Sequence, residues 1–167
     1  MSPAPLPFDP IAEARRQWEE RGWSQAAGGM AAVTSIMRAQ QIVLARVDAE
    51  LKPLGLSFAR YEVLMLLWFS RSGQLPMKVI GARLQVHPTS VTNAVDRLEG
   101  DAMVQRLPHP EDRRAVLVAL TASGRTAARQ ATTRLNRSVF EDLGLRGRDE
   151  QQLTDLLRGL RERAGDF

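Results

Sequence analysis

Two prolines constrain the middle of this chain more than any other feature. Pro76 opens the amphipathic segment 76–84, and Pro88 opens the segment 88–101. Proline has no backbone N–H and a fixed φ, so it is favoured at the first position of a helix and excluded from the helix interior. The sequence therefore predicts two separate short helices, joined by the tight connection "QVH" at 85–87.

The segment that follows has two apolar runs with a charged tip between them. The runs are 103–107 and 115–120, and the tip reads "HPEDRR". This arrangement predicts a β-hairpin with an exposed tip. Two short helices with a tight connection, followed by a hairpin, make a winged helix-turn-helix.

Longer amphipathic helices are predicted on both sides of this unit. Apolar side chains share one face of the segment 30–51, and leucines do so in the segment 149–163. The segment 58–70, which Ser57 can cap, is apolar almost all round and predicts a central, buried helix. Thr121 can cap another long helix, which "GLRGRD" ends near 144–148.

The N-terminal part of the chain predicts one more short helix. In "DPIAEARRQWEERGW", Asp9 can cap the helix, Pro10 takes its first position, and Gly22 ends it. Breaker residues predict a break at "GGM", 28–30, and a loop at "RSGQL", 71–75.

Together these elements predict a mainly α (α+β) fold in which a winged helix-turn-helix lobe is joined to a helical dimerisation region. We expect an N-terminal extension over 1–29 and the winged lobe over 57–120. The dimerisation region is expected to combine 30–56 with 121–167.

The open face of the segment 88–101 carries small polar side chains. Val91, Val95 and Leu98 recur at core spacing, so the remaining side chains face elsewhere. Small hydroxyl and amide side chains let a helix enter the major groove and bond phosphates or base edges. The alternative is that these hydroxyls only cap the helix. The predicted DNA contacts on this helix are Thr89, Ser90, Thr92, Asn93 and Arg97.

The hairpin tip predicts a second contact with the duplex. Arg113 and Arg114 can reach the adjacent minor groove, and Asp112 can pair with Arg114 and orient its guanidinium. The net charge is +4, and almost all the cations are arginine. A mild positive excess is compatible with nucleic acid, although a GC-rich genome would give the same richness in arginine and alanine. For the charged tip itself, the alternative is an ordinary solvated hairpin turn.

The combined pattern resembles the multiple-antibiotic-resistance regulator (MarR) family. The markers are "DRRAVLVALTASG" and "VTNAVDRLE", and the resemblance covers about 30–163. It implies a homodimer whose first and last helices intertwine, with Pro88–Gly100 as the recognition helix. Two copies would read a pseudo-palindromic operator in double-stranded DNA, with half-sites about one helical turn apart.

Ala102 departs from the family pattern, which often has glycine before the first strand of the hairpin. An alanine at positive φ would be strained by about 1 kcal/mol. We therefore expect Gly100 or Asp101 to take the turn, or the local geometry to differ.

The N-terminal helix resembles that of the urate-responsive subgroup, which implies a small aromatic or anionic effector. Arg15 and Trp18 are the candidate ligand residues, with Arg60 as a weaker one; a packing role for Trp18 and a solvated Arg60 are the alternatives. Ala94 stands where that subgroup has an arginine, which argues against urate itself.

Other functional classes find little support in the sequence. There is no cysteine, and the two histidines stand beside neither a metal-type cluster nor a plausible nucleophile. We therefore expect no enzyme, no cofactor and no metal. We also expect no signal peptide, no membrane span and a cytoplasmic location. A protein-interaction module on the same fold and a ligand-insensitive regulator are the alternatives that remain.

Overall fold

The computed structural model describes residues 6–112 and 115–167, which form two compact units divided between Ala49 and Glu50. In the first unit, helix α1 (Pro10–Glu20) begins as predicted, because the Asp9 side chain accepts the N–H of Ile11 at 2.9 Å. Gly22, with φ of 86°, then turns the chain towards the next helix.

Helix α2 (Ser24–Leu51) is continuous, so the predicted break at 28–30 is wrong. Glycine in a helix interior is unfavourable by only about 1 kcal/mol relative to alanine, and a helix of 28 residues tolerates two of them. The helix ends where predicted, in a 3₁₀ turn (Lys52–Leu54) that contains Pro53 and is closed by Gly55 at φ 69°.

The second unit is built around helix α3 (Phe58–Phe69), whose N–H at Arg60 is capped by the Ser57 hydroxyl. It contacts α4 (Met77–Leu84), α5 (Pro88–Gly100) and α6 (Ala122–Leu135). The prediction of a central helix is confirmed. Its buried side chains are Tyr61, Val63, Leu64 and Leu67.

Three antiparallel strands form a small sheet in the order β1-β3-β2. The predicted hairpin is β2 (Val104–Pro108) and β3 (Val116–Leu120). The extra strand, β1 (Gln74–Pro76), overlaps the predicted loop 71–75 and corrects it. Its main-chain partners lie far along the chain, with Leu75 opposite Val118, so local composition does not reveal the pairing.

Helix α6 is fixed to the start of β2 at its first turn. Thr121 Oγ1 accepts the N–H of Gly124 at 3.0 Å and lies 2.9 Å from the Met103 carbonyl oxygen, to which it donates. A Cβ at Gly124 would lie 1.9 Å from that same oxygen, so only glycine permits this approach. The predicted cap at Thr121 is confirmed.

Beyond α6 the chain makes a π-helical turn (Asn136–Phe140) and the last helix, α7 (Arg148–Arg163), which has no buried residues. The mainly helical winged helix-turn-helix fold is thereby confirmed. Within the described residues, no helix has both the length and the apolar character that crossing a bilayer requires.

Candidate nucleic-acid interface

Helix α5 is capped by a histidine rather than by its hydroxyl side chains. Nδ1 of His87 accepts the N–H of Thr89 at 3.3 Å, and Pro88 occupies the first helical position. The His87 carbonyl accepts the N–H of Ser90 at 2.8 Å. The hydroxyls of Thr89 and Ser90 are therefore not needed as caps, and the capping explanation for them is removed.

Helix α5 has one buried apolar face and one exposed polar face, as the sequence predicts. Val91, Val95 and Leu98 are buried. The Thr92 hydroxyl donates to the Pro88 carbonyl at 3.1 Å, so this side chain is oriented while it remains exposed. All five predicted contact residues of this helix lie on the exposed face: Thr89, Ser90, Thr92, Asn93 and Arg97.

Arg106 on β2 connects the hairpin to α5, and the sequence analysis missed it. Its main-chain N–H donates to Glu99 Oε1 at 2.9 Å, and its guanidinium donates to the other oxygen of Glu99 and to Asp96. The N–H and guanidinium of Arg106 together lower the pKa of Glu99. A usable signal existed: Arg106 stands two residues after buried Val104 on β2, so the two side chains lie on the same, inward face of the strand.

The Arg106 contacts also affect the electrostatic potential of α5. Asp96 and Glu99 would repel a phosphate backbone if they were uncompensated, since DNA is densely anionic. Arg106 balances one of these two charges at short range. Arg97, whose side chain has no ion pair with any other described residue, then contributes its full charge to the open face.

His109 organises the hairpin tip. Its ring nitrogen Nδ1 accepts the main-chain N–H groups of Glu111 at 3.3 Å and Asp112 at 3.2 Å. The main-chain N–H of His109 donates to the Ala115 carbonyl. The predicted contacts Arg113 and Arg114 lie outside the described residues, as does the predicted pair between Asp112 and Arg114. In the described part of the tip, the imidazole of His109 thus holds the main chain at Glu111 and Asp112, and the main-chain N–H of His109 reaches Ala115.

The turn between α5 and β2 differs from the expectation. Neither Gly100 nor Asp101 takes the left-handed conformation; Ala102 does, with φ of 54°. The N–H of Ala102 donates to Glu99 and that of Met103 to Leu98, a Schellman arrangement that satisfies the last carbonyls of the helix. These bonds, with the Thr121 hydroxyl on the Ala102 carbonyl at 2.8 Å, hold alanine in a conformation that glycine would prefer.

Of the three candidate effector residues, Arg15 and Trp18 lie in the first unit and Arg60 lies in the second. In α1, Arg15 pairs with Glu19 at 3.0 Å, and the Trp18 ring meets Trp23 edge-on with centroids 5.3 Å apart. Arg60 of α3 lines a cleft of about 500 Å³ together with residues of α5. The other residues that line this cleft are Ser57, Ala59, Ser90, Asn93, Ala94 and Arg97.

This architecture matches known regulators. Residues 56–116 match the MarR family model. The crystal structure of Sco5413, a MarR family transcriptional regulator from Streptomyces coelicolor, is 50% identical with a TM-score of 0.77, and the match covers 84% of this chain and 97% of that one. The chain belongs to the MarR family.

The chain is also similar to two Escherichia coli proteins. The HTH-type transcriptional regulator PrsX of Escherichia coli is 29% identical over 121 residues, which span 72% of this chain and 73% of PrsX. Mutant MarR from Escherichia coli, solved in complex with operator DNA, is 26% identical with a TM-score of 0.70, over 76% of this chain and 91% of that one. No acidic or histidine cluster suited to a metal is present among the residues that the structure describes.

Proposed function

We propose that this MarR-family chain is a sequence-specific DNA-binding repressor that acts as a homodimer on a pseudo-palindromic operator. The exposed polar row on α5 carries the proposal. Thr92, Asn93 and Arg97 stand on the outer face of a helix whose inner face is buried. Side chains of these types bond base edges and phosphates, and the second helix of a helix-turn-helix can enter the major groove, which supports a recognition role for α5. The MarR structure with operator DNA supports this assignment by similarity.

Apolar side chains left exposed on a single chain support the dimer. On α2, Val33 and Met37 are exposed, and on α7 Leu156 is 73% exposed. Val33, Met37 and Leu156 belong to the faces predicted from helical spacing, whereas Val47 and Leu51 of the α2 face are buried within the single chain. Exposed apolar side chains of this kind are unfavourable in water unless they are covered. A second copy of the chain would cover it and set the distance between two α5 helices.

The experiment starts by selecting bound sequences from a random-sequence duplex library, because the operator is not known. The selected duplex is then titrated by fluorescence polarisation at several salt concentrations. We expect Thr92→Ala to weaken specific binding by about 0.5–1.5 kcal/mol, the usual contribution of one hydrogen bond, if Thr92 contacts a base edge. Thr126→Ala is the matched control, since its hydroxyl also donates to a carbonyl four residues earlier at 3.1 Å on an exposed helix face. Equal affinities for both variants and the unchanged protein would remove α5 from the mechanism.

The wing belongs to the same proposal. Arg114→Ala should weaken binding while the dimer remains folded, because it removes one minor-groove cation. Normal affinity in this variant would show that Arg114 does not contribute to DNA binding. A chain that selects no duplex at all would contradict the whole proposal and favour a protein-interaction module.

We further propose that a small aromatic or anionic effector releases the DNA. An effector shifts the population only if it binds the DNA-free state better, typically by about 1–3 kcal/mol. Arg15 and Trp18 offer a cation and an aromatic ring on one helix, which suits a planar anion. A panel of small aromatic carboxylates, titrated against the preformed complex, provides the test. Trp18→Ala should blunt release while operator affinity persists; loss of the dimer instead would give Trp18 a packing role.

A further inference from the structure

The cleft beside α5 contains a cation from another helix. Arg60 of α3 lines it together with Ser90, Asn93 and Arg97, which belong to the proposed DNA-binding face. Any polyanion that contacts this part of α5 therefore has Arg60 as its neighbour. Among the described residues that line the cleft there is no carboxylate; Asp101, which does not line it, has Oδ2 3.9 Å from Nη1 of Arg60.

Arg60 is oriented before anything binds. Its Nε donates to the Ser57 hydroxyl at 3.3 Å, and Nη1 lies 3.9 Å from Asp101 Oδ2. The side chain is only 24% exposed, so much of its rotamer freedom is already lost. A guanidinium has five N–H donors, and these two partners leave at least three of them without an acceptor among the described residues.

The loose contact with Asp101 indicates which kind of acceptor the remaining N–H donors of Arg60 can bind. At 3.9 Å the pair is an ion pair without a hydrogen bond. A phosphate oxygen at about 2.8 Å from the guanidinium would form the stronger, charge-assisted interaction. A helix seated in the major groove has a sugar–phosphate backbone on either side. A cation set beside the helix, rather than on it, meets that backbone before it meets a base.

We infer that Arg60 is a DNA-backbone residue, which together with Arg97 holds a phosphodiester in the cleft between α3 and α5. This assignment replaces the effector role expected from the sequence, and it rests on the proposed DNA-binding function. Arg60 positions the protein on the duplex and does not read sequence. Ser57, by fixing the guanidinium, is its positioning residue.

The test uses salt dependence, because backbone contacts release counterions. Binding to the selected operator and to a mixed-sequence 30-bp duplex is titrated over a range of salt concentrations for the full chain and its variants. Arg60→Ala should reduce the slope of log K against log salt by about 0.9 for each Arg60 in contact with the duplex. Both duplexes should lose affinity by the same factor, so the ratio between them should stay constant. Arg60→Lys, which keeps the charge, should keep the slope.

Arg71→Ala provides the matched control. Arg71 is an exposed arginine just beyond the opposite end of α3, and its removal should leave the slope unchanged. An unchanged slope in Arg60→Ala overturns the inference, as does a loss of affinity for the operator alone. If Thr92→Ala still weakens operator binding, the proposed function survives that result. If no duplex binds the unchanged chain, the proposed function fails first.

Discussion

Arg106 donates to Glu99 through both its main-chain N–H and its guanidinium. The two residues belong to β2 and α5, so one side chain couples the wing to the proposed recognition helix. A wing that moved independently of α5 would present its tip at variable distances from the helix. The pair therefore fixes the distance between the hairpin and α5, and a protein that contacts a duplex with both elements needs this distance to be constant.

The first prediction concerns the pH dependence of this contact. Arg106 lowers the pKa of Glu99 below its ordinary value of 4.5. A lowered folded-state pKa gives stability that is complete above the unfolded-state pKa and is lost as pH falls through the folded-state pKa. Glu99→Gln should therefore lower the thermal midpoint at neutral pH, and its difference from the unchanged protein should shrink as the pH falls below 4.5, the ordinary pKa of the carboxyl group.

Thermal melts recorded across this pH range make the measurement, with Glu111→Gln as the control. Glu111 is an exposed carboxylate of the wing loop, so its replacement should leave the midpoint unchanged at every pH. A Glu99→Gln midpoint equal to that of the unchanged protein at pH 7 would show that the contact contributes nothing measurable.

The second prediction concerns Gly124. An alanine Cβ there would meet the Met103 carbonyl oxygen at 1.9 Å, so α6 would have to move away from β2. We expect Gly124→Ala to lower the free energy of unfolding by about 2 kcal/mol or more, towards the upper range for overpacked sites. Gly100→Ala is the control, because a Cβ there meets nothing within 4 Å and alanine favours the helix. Urea denaturation that ranks the two variants equally would contradict the close approach.

The sequence predicted those elements whose boundaries depend on local chemistry. Pro76 and Pro88 marked two helices, and Asp9, Ser57 and Thr121 act as the predicted caps. In each case the proline or capping residue lies within a few residues of the helix start that it determines, so a short stretch of sequence is enough to predict that start.

The features that the sequence did not predict depend on residues far apart in the chain, or on the total stability of an element rather than on one residue in it. Strand β1 forms only because β3 pairs with it. The break predicted at 28–30 does not occur, because two unfavourable glycines do not outweigh the rest of a long helix. The contact between Arg106 and Glu99 spans two elements, although the alternation along β2 contained a hint of it.

The third prediction follows from Ala102, which has φ of 54° in the turn that ends α5. Glycine adopts this conformation without a Cβ clash, so Ala102→Gly should raise the free energy of unfolding by about 1 kcal/mol. Ala122→Gly serves as the control, because Ala122 begins α6 in a helical conformation, where glycine is unfavourable by about 0.5–1 kcal/mol. In urea denaturation, we expect Ala102→Gly to raise the free energy of unfolding and Ala122→Gly to lower it. A destabilised Ala102→Gly would show that the turn favours the alanine side chain.

The fourth prediction tests the proposed dimer through α7. Leu156 is 73% exposed on a single chain, and a glutamate there would place an unpaired charge in an apolar interface. An uncompensated buried charge is unfavourable by about 3–5 kcal/mol, enough to weaken association more than a hundredfold. Light scattering after size exclusion should give twice the 18.6 kDa chain mass for the unchanged protein and one chain mass for Leu156→Glu. Phe69→Glu is the control, because Phe69 is 77% exposed at the end of α3, outside the predicted dimerisation region. If Leu156→Glu keeps the dimer mass while its circular dichroism is unchanged, α7 does not hold the two copies together through this residue.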